Sequence, residues 1–197
     1  MGFPPPFLEV KMVVRDILSE IARIAEGDEL FIAVKNSQES TDQQIQNKVD
    51  VLLACYNAIV SEIALNNYEY LVKQTVSLNR FNLSTLEKPL LKIVGVTDTK
   101  GNQISYTRQN DEIFVNKAPF TLIYRAIPLK QEIDDKYIFD KTQISDSVVV
   151  YGALAEYYLR ESRFEEALSF ESKFRQALNC RLDNRSRKMK AGKRWGL

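Results

Sequence analysis

The chain has 197 residues, a net charge of +1, an apolar fraction of 45% and no histidine. The missing histidine removes Ser–His and Cys–His nucleophile pairs and histidine-assisted metal sites. That length suits one domain, or a domain carrying a small insertion. No apolar run approaches the roughly 20 residues a bilayer span needs, so no membrane partner is expected.

MGFPPPFLEV lacks the basic-then-apolar order of a signal peptide. Pro4, Pro5 and Pro6 between Phe3 and Phe7 predict an extended arm over 1–10. From Glu9 to Ala25 the positions Val14, Ile17, Leu18, Ile21, Ala22 and Ile24 mark one face of a helix, with Gly27 as its stop. Residues 28–40 read as a connector containing the short apolar run Leu30–Val34. A second helix is expected after Ser40 or Thr41, each with a glutamine three residues on, and ends near Asn66-Asn67. Its stripe is Ile45, Val49, Leu52, Tyr56, Ile59 and Ile63.

The period then shortens. Tyr70, Val72, Gln74, Val76 and Leu78 alternate with polar residues, and Leu90–Val96 forms a second apolar strand. Ile104–Thr107, Ile113–Val115 and Phe120–Ala126 follow, separated by turn clusters at 98–102, 110–111 and 116–119. About five short antiparallel strands are expected, inserted between helical segments. Residues 129–141 read as an irregular acidic crossing segment with Tyr137, Ile138 and Phe139 as anchors. Helices return from Ser145 or Asp146 to about Arg160, and from Phe164 to about Arg181, forming an antiparallel hairpin in which Gly152 and Ala155 allow close approach.

Residues 181–197 carry seven basic side chains and one acid, a net of +6, leaving −5 for the rest of the chain. The cations are Arg181, Arg185, Arg187, Lys188, Lys190, Lys193 and Arg194, and Trp195 is the only tryptophan. The segment has no apolar periodicity and reads as an extended arm that finds its structure on a partner. Its charges suit phosphates or an acidic protein groove with Trp195 as anchor.

Signals for chemistry are few. The seven glycines form no phosphate-cradling frame, and Cys55 and Cys180 are isolated, which suggests reduced thiols. Asp134-Asp135 is a weak metal pair, because neighbours on an extended segment point apart. Glu156, Glu165 and Glu166 read as solvated helix-face acids. No metal, cofactor or catalytic residue is expected.

The hairpin YGALAEYYLRESRFEEALSFESKFRQAL resembles a single tetratricopeptide helix pair, but no second copy exists to stack on it. The order of parts, with Gly152–Tyr157 (GALAEY), Phe164–Ala167 (FEEA) and the strand ending FTLIYRAIP, resembles the head-to-tail connector proteins of short-tailed bacteriophages. That resemblance implies a non-enzymatic virion protein, assembled in the host cytoplasm. It implies a homo-oligomeric ring, typically twelvefold, that binds the portal and tail proteins, with genomic DNA in its lumen. The tail cations and Trp195 would then grip the portal or a neighbouring subunit, and Gly152, Ala155, Tyr158, Phe164 and Ala167 would pack the hairpin.

The expected fold class is α+β. An N-terminal helix pair (11–69) and a crossing segment with a C-terminal hairpin (129–180) enclose a small antiparallel β-domain (70–128). The extended basic tail (181–197) ends the chain. The competing function is a nucleic-acid-binding accessory protein that uses that tail.

Overall fold

The computed structural model describes residues 12–36, 42–66, 68–139 and 144–191, with 180–191 described as backbone. The fold is α+β and divides into two compact units, Met1–Ile59 with Gln131–Leu197, and Val60–Lys130. The arm expected over 1–10 lies outside the described residues, as do the proposed caps Ser40 and Thr41.

The first unit is helical. Helix α1 spans Val14–Ala25, and Val14, Ile17, Leu18, Ile21 and Ala22 are fully buried along it. Ile24 falls off that stripe and is 40% exposed, a correction to the sequence reading. Gly27 ends the helix as expected, at φ +85°, a left-handed conformation that a side chain would strain. The segment after it is not a connector. Helix α2 runs Asp28–Asn36, burying Leu30 and Val34 one turn apart, with Asp28 and Glu29 at its positive end. A five-residue apolar run does not distinguish helix from strand, so this element was illegible from periodicity.

Helix α3 spans Gln43–Asn66, and the division between the units falls within it, after Ile59. By length and composition it would suit a bilayer span, contrary to the sequence reading. Its apolar stripe is instead taken up by the fold, because Leu52, Cys55, Tyr56, Ile59 and Ile63 are all buried. Helices α4 (Asp146–Arg160) and α5 (Phe164–Ala191) form the expected hairpin, and α4 also packs against α1. The turn at Glu161-Ser162-Arg163 closes with the Arg163 N–H donating to the Tyr158 carbonyl at 2.8 Å.

The acidic crossing segment has a structural purpose that its sequence did not disclose. The first two N–H groups of α1, from Val14 and Arg15, donate to the carbonyls of Asp135 and Ile133 at 2.9 and 2.8 Å. Those N–H groups have no partner inside the helix, so a distant segment caps it. Asp134 pairs with Arg15, and the Asp135 carboxylate accepts from the Glu132 N–H at 2.7 Å. Buried Gln131 holds the segment in place. Its N–H donates to Asn57 Oδ1 (2.8 Å), its carbonyl accepts from Asn57 Nδ2 (3.0 Å), and its side chain bonds the Tyr56 hydroxyl (2.7 Å) and the Lys136 carbonyl (2.6 Å).

The second unit holds two three-stranded antiparallel sheets. Strands β1 (Leu71–Val76), β6 (Phe120–Ala126) and β3 (Leu90–Asp98) form the first, in that order. Strands β2 (Arg80–Asn82), β5 (Glu112–Val115) and β4 (Tyr106–Gln109) form the second. Strand β2 was missed, because three residues are too short to show a period. Phe120, Leu122 and Tyr124 share the buried face as expected, with Val76, Val96, Ile113 and Val115 in the same core. Each such large side chain contributes about 1.5–3 kcal/mol of burial. Leu78 was read as a strand member but lies beyond β1 and is 69% exposed.

Candidate functional site

The sequence-predicted hairpin residues separate into packing residues and a surface. Gly152 is buried where a Cβ would lie 2.8 Å from Ile59 Cγ2 and 3.1 Å from Phe174 Cδ2, so the glycine is what lets α4 approach both α3 and α5. Ala155 and Ala167 are buried. Tyr158 is buried too, with its hydroxyl donating to the Ile24 carbonyl at 3.2 Å and its ring between Arg163 (4.4 Å) and Phe170 (5.6 Å between ring centroids). Phe164 does not pack the hairpin. It is 59% exposed, because at the first position of α5 it precedes the turn that buries Ala167.

Phe164 therefore belongs with a surface at the turn end of the hairpin. Leu168, one helical turn on and on the same side of α5, is 71% exposed, and Leu159 in the last turn of α4 is 52% exposed. Exposed Glu161 and Glu165 flank them in sequence, while Arg163 is held by Glu166 at 2.7 Å. That guanidinium holds the Glu166 carboxyl below its ordinary range. Leu159, Phe164 and Leu168 thus place three large exposed apolar side chains within ten residues at one end of the hairpin.

Cys55, Glu26 and Asp98 are each engaged in the fold. Burial pushes the Cys55 thiol up to about 11, so it is not a nucleophile near neutral pH. Burial also raises Glu26, but hydrogen bonds from Lys48 (2.5 Å) and the Tyr157 hydroxyl (3.0 Å) outweigh it and hold the carboxyl below its ordinary range. In the second unit Asp98 is held low by the Asn102 N–H, with Lys100 N–H and Lys117 assisting. Asp134 and Asp135 point to separate partners, and among the described residues no group of three or more His, Cys, Asp or Glu could hold a metal. An open groove of about 540 Å³ between α1 and α2 mixes Arg15, Arg23 and Lys35 with Asp16 and Glu20, and so favours neither charge strongly.

The backbone of α5 continues helical through Ala191, beyond the predicted end near Arg181. Arg181, Arg185, Arg187, Lys188 and Lys190 thus lie on helical backbone rather than on an extended arm. Lys193, Arg194 and Trp195 lie outside the described residues. Comparison with protein-family models and with curated proteins gave no match.

Proposed function

We propose that the chain is a non-enzymatic structural protein of a virion, a subunit that packs side by side in a ring joining the portal to the tail. The observation that carries this reading is the exposed apolar end of the hairpin, Leu159, Phe164 and Leu168. A ring needs two different complementary patches on each subunit, and this surface supplies one of them. The order of parts supports the same reading, since a β-rich unit is inserted into a helical one and a basic segment follows the hairpin. The basic segment with Trp195 supplies the second patch, seated on the portal or on a neighbouring subunit. The deciding experiment is co-expression with a portal protein of a short-tailed bacteriophage, followed by size-exclusion with light scattering and negative-stain microscopy. Rings that contain both proteins are expected. A chain that stays monomeric and elutes apart from an intact portal would refute the proposal.

A further inference from the structure

We propose that the outer face of the β1–β6–β3 sheet is an anion-binding surface fitted to the phosphate backbone of a nucleic acid. Strand register builds it. Leu71, Arg125 and Lys92 form one cross-strand row, Lys73, Ile123 and Gly95 the next, and Thr75, Thr121 and Thr97 the third. Side chains directly opposite on neighbouring strands lie about 5 Å apart and diagonal ones about 7–8 Å, so the three cations share one corner of the face. None of the nine positions is acidic.

The placement of Lys92 depends on an irregularity. In an unbroken strand Leu90 and Lys92 would share a face. A register shift between them leaves Leu90 opposite Ala126, packed on the core, and puts Lys92 opposite Arg125 on the outside. Bulges re-aim side chains in this way. The result sets two cations directly opposite each other, an arrangement that is unfavourable in the absence of an anion.

Among the described residues neither Lys73 nor Lys92 has an ion-pair partner. Arg125 Nη2 donates to the carbonyls of Ala64 and Leu65 at 3.4 and 3.3 Å, which orients the guanidinium without supplying a full negative charge, and its Nε is buried with no partner. Thr75 is exposed and Thr97 and Thr121 are half-buried, so their hydroxyls add donors of the kind that bond phosphate oxygens. The face carries no aromatic residue to stack a base, so the contact is with the backbone and independent of sequence. Leu71, Leu91 and Val94 are also exposed on β1 and β3, so contact with a protein is the alternative that the sedimentation arm of the test detects. The surface does not depend on ring assembly, and it lies on a different unit from the hairpin end.

The test measures binding of the full chain to a short labelled duplex of mixed sequence by fluorescence anisotropy over a NaCl series. Lys73→Gln/Lys92→Gln is compared with Lys100→Gln/Lys130→Gln, which removes the same charge from exposed positions of the same unit off this face. The basic C-terminal segment is a common background in all of them. The sheet double is expected to bind about tenfold or more weakly near physiological salt and to flatten the log–log salt slope by about 2, near 0.9 for each lost cation. The control double should stay within about twofold of wild type. Lys73→Arg/Lys92→Arg should restore binding, which separates lost charge from misfolding. Equal losses in the two glutamine doubles, an unchanged sheet double, or no duplex binding by the wild type would each overturn the proposal. So would a sheet double that alters self-association in sedimentation while duplex binding holds, since the face would then contact another copy.

Discussion

Asn57→Ala should loosen the helical unit by a route that passes through α1. The asparagine makes two bonds to the main chain of Gln131, at 2.8 and 3.0 Å, across a sequence gap of 74 residues. Its loss leaves an N–H and a carbonyl of a buried residue without partners. Each such orphan costs about 1–3 kcal/mol, and the half-exposure of Asn57 lets water recover part of that. A loss of about 2–3 kcal/mol is expected, or about 5–10 °C in the melting of the helical unit. The segment that Gln131 positions also caps α1, so the Val14 and Arg15 amides should lose hydrogen-exchange protection well beyond the average of α1. Urea unfolding followed by circular dichroism gives the free energy, fitted with separate transitions because two units need not unfold together. A change under about 0.5 kcal/mol, or a protection loss at Val14 and Arg15 no larger than elsewhere, would refute the chain of contacts from α3 through Gln131 to α1.

Gly152→Ala places a methyl 2.8 Å from Ile59 Cγ2, so overpacking of about 1–3 kcal/mol should outweigh the roughly 1 kcal/mol gain in helix propensity. Adding Ile59→Val should recover part of the loss in the same denaturation assay. Glu26 has a folded pKa below its ordinary 4.5, so its contribution is present above that value and is lost as pH falls through the folded pKa. Thermal melts of the wild type should therefore fall off below about pH 4.5, and Glu26→Gln should flatten that decline while lowering stability near neutrality. Phe164→Asp/Leu168→Asp should leave monomer stability within about 0.5 kcal/mol, since both side chains are exposed, yet abolish the rings seen by negative-stain microscopy.

Long periodic elements were legible from residue order because local spacing determines them. The burial of Leu52, Tyr56 and Ile59 on α3 and of Phe120, Leu122 and Tyr124 on β6 follows directly from steps of three, four and two. Helix α2 and strand β2 were too short to show a period. The cap on α1 was invisible for another reason, since Val14 and Asp135 meet through tertiary structure alone. The cationic sheet face belongs to the same class. Lys73, Lys92 and Arg125 come from three strands and form no cluster in sequence, whereas the basic run at 181–194 is conspicuous there. Reading charge along the chain thus favoured the end of the molecule over a surface that only register assembles. Phe164 misled for a related reason, because its apolar character at a helix start says nothing about which side of the first turn it occupies.

Charge is also divided between the units, and that division separates the two proposed interactions. Residues 1–59 and 131–180 carry nineteen acids against eleven basic residues, 60–130 carry six against nine, and 181–197 one against seven. The basic end and the acidic helical unit are opposite in charge, while the sheet face lies on a unit that is itself net positive. Screening weakens exposed charge pairs beyond about 8 Å at physiological ionic strength, whereas a buried aromatic anchor is insensitive to salt. Trp195→Ala should therefore weaken assembly with the portal by about 2 kcal/mol or more, roughly thirtyfold, with little change in its salt dependence. The same variant should leave the duplex salt slope untouched, because a tryptophan neutralises no phosphate. If Trp195→Ala leaves portal co-elution intact and charge reversal across Arg181–Arg194 abolishes it, the segment binds through charge alone, and the anchor assigned to Trp195 is wrong.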